Sequence, residues 1–163
     1  MKSHWFAAAS RRLGLLALAV AGLFPVAARA ENVQVTVLVI LASEQDTKAD
    51  LRLQCIAQQV RKKYPELKGL RVEGILHESV QVGKKKTFEL IGGQKATINV
   101  LHGCDEEERI GLTVKVKGFG EMDYKCRCGK FLPLMTEYRT KDNERLLVAI
   151  RVAPCPKSAA KKD

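Results

Sequence analysis

Residues 32–43 read NVQVTVLVILAS, and this stretch decides the fold. Val33, Val35, Val37, Val39 and Leu41 stand at alternate positions, on one face of an extended chain, while Leu38 and Ile40 make the other face apolar as well. A strand that is apolar on both faces is a central one, covered on each side for at least part of its length.

The polar connection EQDTKAD follows and ends in Asp50, a good helix N-cap. Beyond it Leu53, Ile56, Ala57, Val60 and Tyr64 recur at helical spacing and make one apolar stripe. Lys62 and Lys63 fall in the last turn, where cations suit the helix dipole, and Pro65 ends the helix. The remainder reads as strands. GLRVEGILHESVQV alternates weakly, and KTFELIGGQKATINVL reads as a hairpin. A turn at Gly92-Gly93-Gln94 places Leu90 opposite Ala96 and Phe88 opposite Ile98. Ile110, Leu112, Val114 and Val116 alternate up to a turn at Gly118-Phe119-Gly120, after which Met122, Tyr124 and Cys126 share a face. FLPLMTEYR and RLLVAIRV form a last pair around residues 141–144, and Pro133 marks its strand as an edge or a bulged one. The expected fold class is α+β: a β-α-β unit followed by an antiparallel β-meander of about six strands. One helix packs on a sheet that the meander can extend into a β-sandwich, and a helix after the first strand permits a right-handed crossover.

Residues 1–30 read as a signal peptide. Lys2, Arg11 and Arg12 form a basic start, residues 13–28 are apolar, and Ala28-Arg29-Ala30 supplies the small-x-small cleavage pattern. The apolar run, about 15 residues, is short of the roughly 20 that cross a bilayer as a helix. Ser10-Arg11-Arg12 faintly matches a twin-arginine export signal, but Gly14 and the strongly apolar run favour the general secretory route. Residues 31–155 are then expected to form a single domain, followed by a basic disordered tail over 156–163. The leader holds four of the 28 basic residues and none of the 18 acidic ones, so the mature chain carries a formal charge of +6. That excess favours contact with an anionic envelope component, and export argues against nucleic acid as a partner. No integral membrane segment is expected once the leader is cleaved.

Five cysteines follow the leader: Cys55, Cys104, Cys126, Cys128 and Cys155. Cys126 and Cys128 are two apart, so a strand aims them at the same side and each looks elsewhere for a partner. Centring the hairpins near Phe119 and near residues 142–143 sets Cys128 opposite Ile110, and Cys155 opposite about residue 130. Cys104, Cys126, Cys128 and Cys155 then gather at one end of the sheet. In an oxidising compartment this reads as Cys128–Cys155 with Cys104–Cys126, and the swapped set, Cys104–Cys128 with Cys126–Cys155, stays open. A competing reading joins His102, Cys104, Cys126 and Cys128 into a site for zinc or cuprous copper, although strong zinc signatures space paired ligands by two to four residues. No C-x-x-C redox pair is present. Cys55 lies off the helix's apolar stripe, either in a secondary contact or as a free thiol able to join a partner.

No catalytic or cofactor-binding residue is expected. His77 has no acid opposite it, and the chain contains no nucleophile elbow, H-E-x-x-H, Walker loop or dinucleotide fingerprint. Asp105-Glu106-Glu107-Glu108 lack EF-hand spacing and read as a solvated loop, and GKKKTF reads as a charged turn.

The block CGKFLPLMTEYRTKDNERLLVAIRVAPC, with VTVLVILAS and RKKYPELKGLRV, resembles a group of short exported bacterial proteins of unknown function. The resemblance spans most of the mature chain and implies a shared framework, with no activity or ligand to carry over. Cysteines at the positions of Cys128 and Cys155 recur in that group, so the resemblance favours the Cys128–Cys155 pairing. The functional expectation is an exported non-enzymatic module that binds an envelope protein or an anionic envelope component through a sheet edge or basic face. A metal-binding protein and an envelope hydrolase are the alternatives.

Overall fold

The structure is a computed structural model and describes residues 31–154. The expected leader, Cys155 and the expected basic tail therefore lie outside the described residues. Among the described residues eight strands and one α-helix follow in the order β1 (Asn32–Ser43), α1 (Gln54–Lys63), β2 (Gly69–Gln81), β3 (Lys85–Glu89), β4 (Lys95–His102), β5 (Arg109–Val116), β6 (Gly120–Arg127), β7 (Phe131–Arg139) and β8 (Arg145–Pro154). They build two four-stranded sheets, β2-β1-β8-β7 and β3-β4-β5-β6. Every strand pairing within them is antiparallel.

β1 is the central strand that its sequence demands. It lies between β2 and β8, and both of its faces are covered. Val33, Val35, Val37 and Val39 meet Ile98, Val100, Leu112 and Val114 of the second sheet in the core of a sandwich. Leu38, Ile40 and Ala42 meet Leu53, Ile56, Ala57 and Val60 beneath α1. The result is three layers: helix, first sheet, second sheet. Leu41 is buried but belongs to neither cluster. A bulge in the β1–β2 pairing between Val39 and Ile40 interrupts the register just before it.

The helix forms where its stripe was read. A 3-10 turn, Leu51–Leu53, precedes it, and the Asp50 carboxylate accepts the Arg52 backbone N–H at 2.9 Å. The connection between β1 and β2 does not make a crossover. The chain runs over the outer face as α1 and returns antiparallel to β1, so the two strands are direct neighbours. β3 to β6 then form a four-strand meander in the second sheet, and the β7–β8 hairpin comes back to flank β1. The chain crosses between sheets twice. At the first crossing Val82 N–H donates to Glu31 O and Gly83 N–H to Val100 O. At the second, Cys128 N–H donates to Glu108 O and Gly129 N–H to Val152 O.

β7 is both an edge strand and a bulged one, with Pro133 paired to Ala149 and a register shift between Met135 and Arg139. The buried Thr136 hydroxyl fills the gap in the ladder, donating to Leu146 O at 2.9 Å and accepting from Tyr138 N–H.

Candidate functional site

A cleft of about 310 Å³ opens along the edge of β7. Its floor is Leu132, Pro133, Leu134 and Met135, with Leu147 behind. Gln59, Val60, Lys63 and Tyr64 of α1 form one wall, and Phe119, Met122 and Tyr124 of the β5–β6 hairpin form the other. The cleft follows from the topology. β7 and β6 are outer strands of their sheets, and α1 covers the outer face of the first sheet up to β7. Leu134 points into the sandwich core while Met135 points into the layer under the helix, so β7 runs along the seam between the two cores. Pro133 has no N–H to offer a further strand, which keeps that edge from extending.

The face shared by Cys126, Tyr124 and Met122 shows how the core opens into the cleft. Cys126 is buried, Tyr124 is half-buried against the core, and Met122 is 47% exposed. The Tyr124 hydroxyl reaches the Met122 sulfur at 3.5 Å, and burial raises the Tyr124 pKa above its ordinary value. At the rim the Tyr64 ring lies against two cations, Lys63 Nζ at 5.5 Å and the Arg145 guanidinium at 5.1 Å. Among the described residues no carboxylate pairs with Lys63. The cleft is thus an apolar trough with a lysine at its mouth.

The cysteines are arranged differently from the pairing expected when the hairpins are centred near Phe119 and residues 142–143. The β5–β6 hairpin is centred on Gly118, so Ile110 faces Cys126 and not Cys128. Cys128 instead closes back on the β4–β5 loop, where its sulfur lies 2.8 Å from that of Cys104. Cys126 turns into the sandwich core. Burial raises its thiol pKa to about 11. Burial raises that of Cys128 to about 12, and the contact with Cys104 adds to it. Cys55 is exposed on α1.

Among the described residues no three of the His, Cys, Asp and Glu side chains gather into a set able to hold a metal ion. Cys104 and Cys128 meet, but His102 and Cys126 do not join them to complete the four-ligand set expected from the sequence. The His102 ring lies across Gly111, its cross-strand partner, where any Cβ would collide with it, and its Nδ1 bonds Gly103 O at 2.9 Å. His77 pairs across the strands with the buried Thr36, at 3.0 Å from its hydroxyl. The acidic run is wired internally. Asp105 Oδ1 accepts the Arg109 N–H at 2.7 Å and the Glu107 N–H at 3.0 Å, and Arg109 forms ion pairs with Asp105 and Glu107. These backbone donors hold the Asp105 carboxyl below its usual pKa. In the lysine turn, Lys86 is paired to Glu78 at 3.0 Å. No protein-family model, curated protein or solved structure matches this chain.

The cleft escaped the sequence reading because its lining joins α1 to β6 and β7, which lie far from the helix along the chain. Two local signals pointed toward it: Pro133 at an edge, and Lys63 closing the helix.

Proposed function

We propose that this chain is an exported, non-enzymatic binding module of the cell envelope, and that it receives an anionic amphiphile in the cleft beside β7. The observation that carries this reading is the cleft itself, an apolar trough of about 310 Å³ with Lys63 at its mouth, where no carboxylate among the described residues pairs with it. That volume is at the small end of ligand pockets, which run from roughly 300 to 1,000 Å³. The apolar lining suits an acyl chain, and the lysine suits a phosphate or carboxylate head group. The leader-like residues 1–30 support export. Among the described residues no helix is long and apolar enough to cross a membrane.

Burial of about six methylenes contributes roughly 5 kcal/mol, and an ion pair at the rim adds at most about 1 kcal/mol. Subtracting about 2 kcal/mol or more for ordering the ligand puts Kd at about 1 mM or weaker. Calorimetric titration with dodecyl phosphate below its micelle concentration tests this. One saturable site is expected, weakened about tenfold by Lys63→Glu or Met122→Glu, with no binding of inorganic phosphate. Absence of a saturable site, or a site indifferent to both substitutions, refutes the reading.

A further inference from the structure

We infer that Cys104 and Cys128 are the two halves of a disulfide that closes when the protein meets an oxidising disulfide. The bond ties the β4–β5 loop to the point where the chain returns from the second sheet to the first. Neither the sequence pattern nor the resemblance selects this pair; the geometry does.

The backbone brings the sulfurs together before any bond forms. Asp105 accepts the Glu107 and Arg109 N–H groups, and Asp105 N–H donates to Arg109 O, which fixes the loop that carries Cys104. Glu108 takes a positive φ of 57° in the same loop, and its carbonyl accepts the Cys128 N–H at 2.7 Å. Gly129 N–H then bonds Val152 O at 2.7 Å, so Cys128 is held from both sides. With the sulfurs already 2.8 Å apart, closing the bond orders little further chain. Cys126, by contrast, faces the sandwich core.

The two sulfurs differ in access. Cys104 is exposed and Cys128 is half-buried. Burial holds Cys128 as the thiol, consistent with a pKa raised to about 12, so Cys104 is the sulfur that attacks first. Its thiolate attacks one sulfur of an oxidising disulfide, such as glutathione disulfide or a protein disulfide. The other sulfur of the reagent leaves as a thiolate, and a mixed disulfide forms on Cys104. Cys128 gives up its proton and attacks the Cys104 sulfur, expelling the second reagent thiolate. The protein loses two electrons and two thiol protons, and one disulfide becomes two thiols.

Trypsin mapping without reduction tests the pairing, because Arg127 separates Cys126 from Cys128. The protein is purified without reductant, its free thiols are alkylated before unfolding, and it is then digested. Peptide 96–109 joined to peptide 128–130 is the expected product, absent after dithiothreitol. Peptide 128–130 joined to 152–157, or Cys104 and Cys128 both alkylated after glutathione disulfide treatment, overturns the inference. A Cys104→Ser variant supplies a second reading: the oxidised protein should gain one alkylatable thiol at Cys128, and a Cys128 still protected in that variant also overturns it.

Discussion

Replacing Ile40 by alanine tests the layer that α1 adds to the first sheet. Ile40 is fully buried and packs with Leu53, Ile56 and Leu147 beneath the helix. The substitution removes three carbons, worth about 2.4 kcal/mol at roughly 0.8 kcal/mol each. The cavity left between two rigid layers raises the cost to about 3.5 kcal/mol, inside the usual range for such truncations. For a domain of about 125 residues the unfolding entropy near the midpoint is roughly 0.26 kcal/mol/K, so Tm should fall by about 13 °C. Urea unfolding of wild type and variant, followed by circular dichroism at 25 °C, gives the difference directly, with an unchanged slope as the sign that the unfolding reaction is the same. Val37→Ala is the control on the opposite face, where Val37 is fully buried in the sandwich core. It removes two carbons and should cost about 2–3 kcal/mol. A cost below about 1 kcal/mol for Ile40→Ala, beside a full cost for Val37→Ala, would show that the second face of β1 is not covered.

Alkali should weaken the fold through the buried thiols. Raised from 9.0 to about 11, Cys126 contributes stability that is complete below pH 9 and is lost as pH climbs through 11. The urea midpoint should drop across that window, more steeply in dithiothreitol, where Cys128 titrates too, and less in Cys126→Ala; an equal drop in that variant refutes the assignment. The β3–β4 turn separates two adjacent glycines that share a positive φ. Gly92 at 62° has the Tyr138 ring where a Cβ would go, whereas Gly93 at 69° faces open space. Gly93→Asn should change stability by less than about 1 kcal/mol, because asparagine tolerates this backbone. Gly92→Asn must also displace the tyrosine and should cost roughly 2–3 kcal/mol. Equal costs by thermal melts would mean Tyr138 is not where the structure puts it.

Much of the architecture was legible because burial writes itself into side-chain period. β1 was readable as a two-faced central strand, α1 by its stripe, β7 as an edge by Pro133. Turn centres were less legible. The β3–β4 turn is centred on residue 92, not 93, so Phe88 faces Ala96 and not Ile98. The β5–β6 turn is likewise displaced by one residue. Moving a centre by one residue moves every partner by two, and the side-chain period in a strand is two. Each residue therefore stays on its expected face, and hydrophobic patterning cannot register the slip. Cysteine pairing depends on partner identity as well as face, so there the slip mattered. Strand direction was also hidden, since α1 fits a parallel crossover and an antiparallel return equally well. The cleft depends on how α1 comes to lie beside the distant β6–β7 segment, which no local pattern encodes.

The most direct test of the binding proposal is a titration of the nitrogen-15-labelled protein with dodecyl phosphate, read as amide chemical-shift changes. Saturable shifts should cluster at the C-terminal turn of α1, at residues 132–135 of β7 and at the Phe119–Tyr124 side of the hairpin, while the β2–β3 side stays still. Shifts scattered over the lysine-rich surface, or centred on residues away from β7, would contradict the cleft as the binding site.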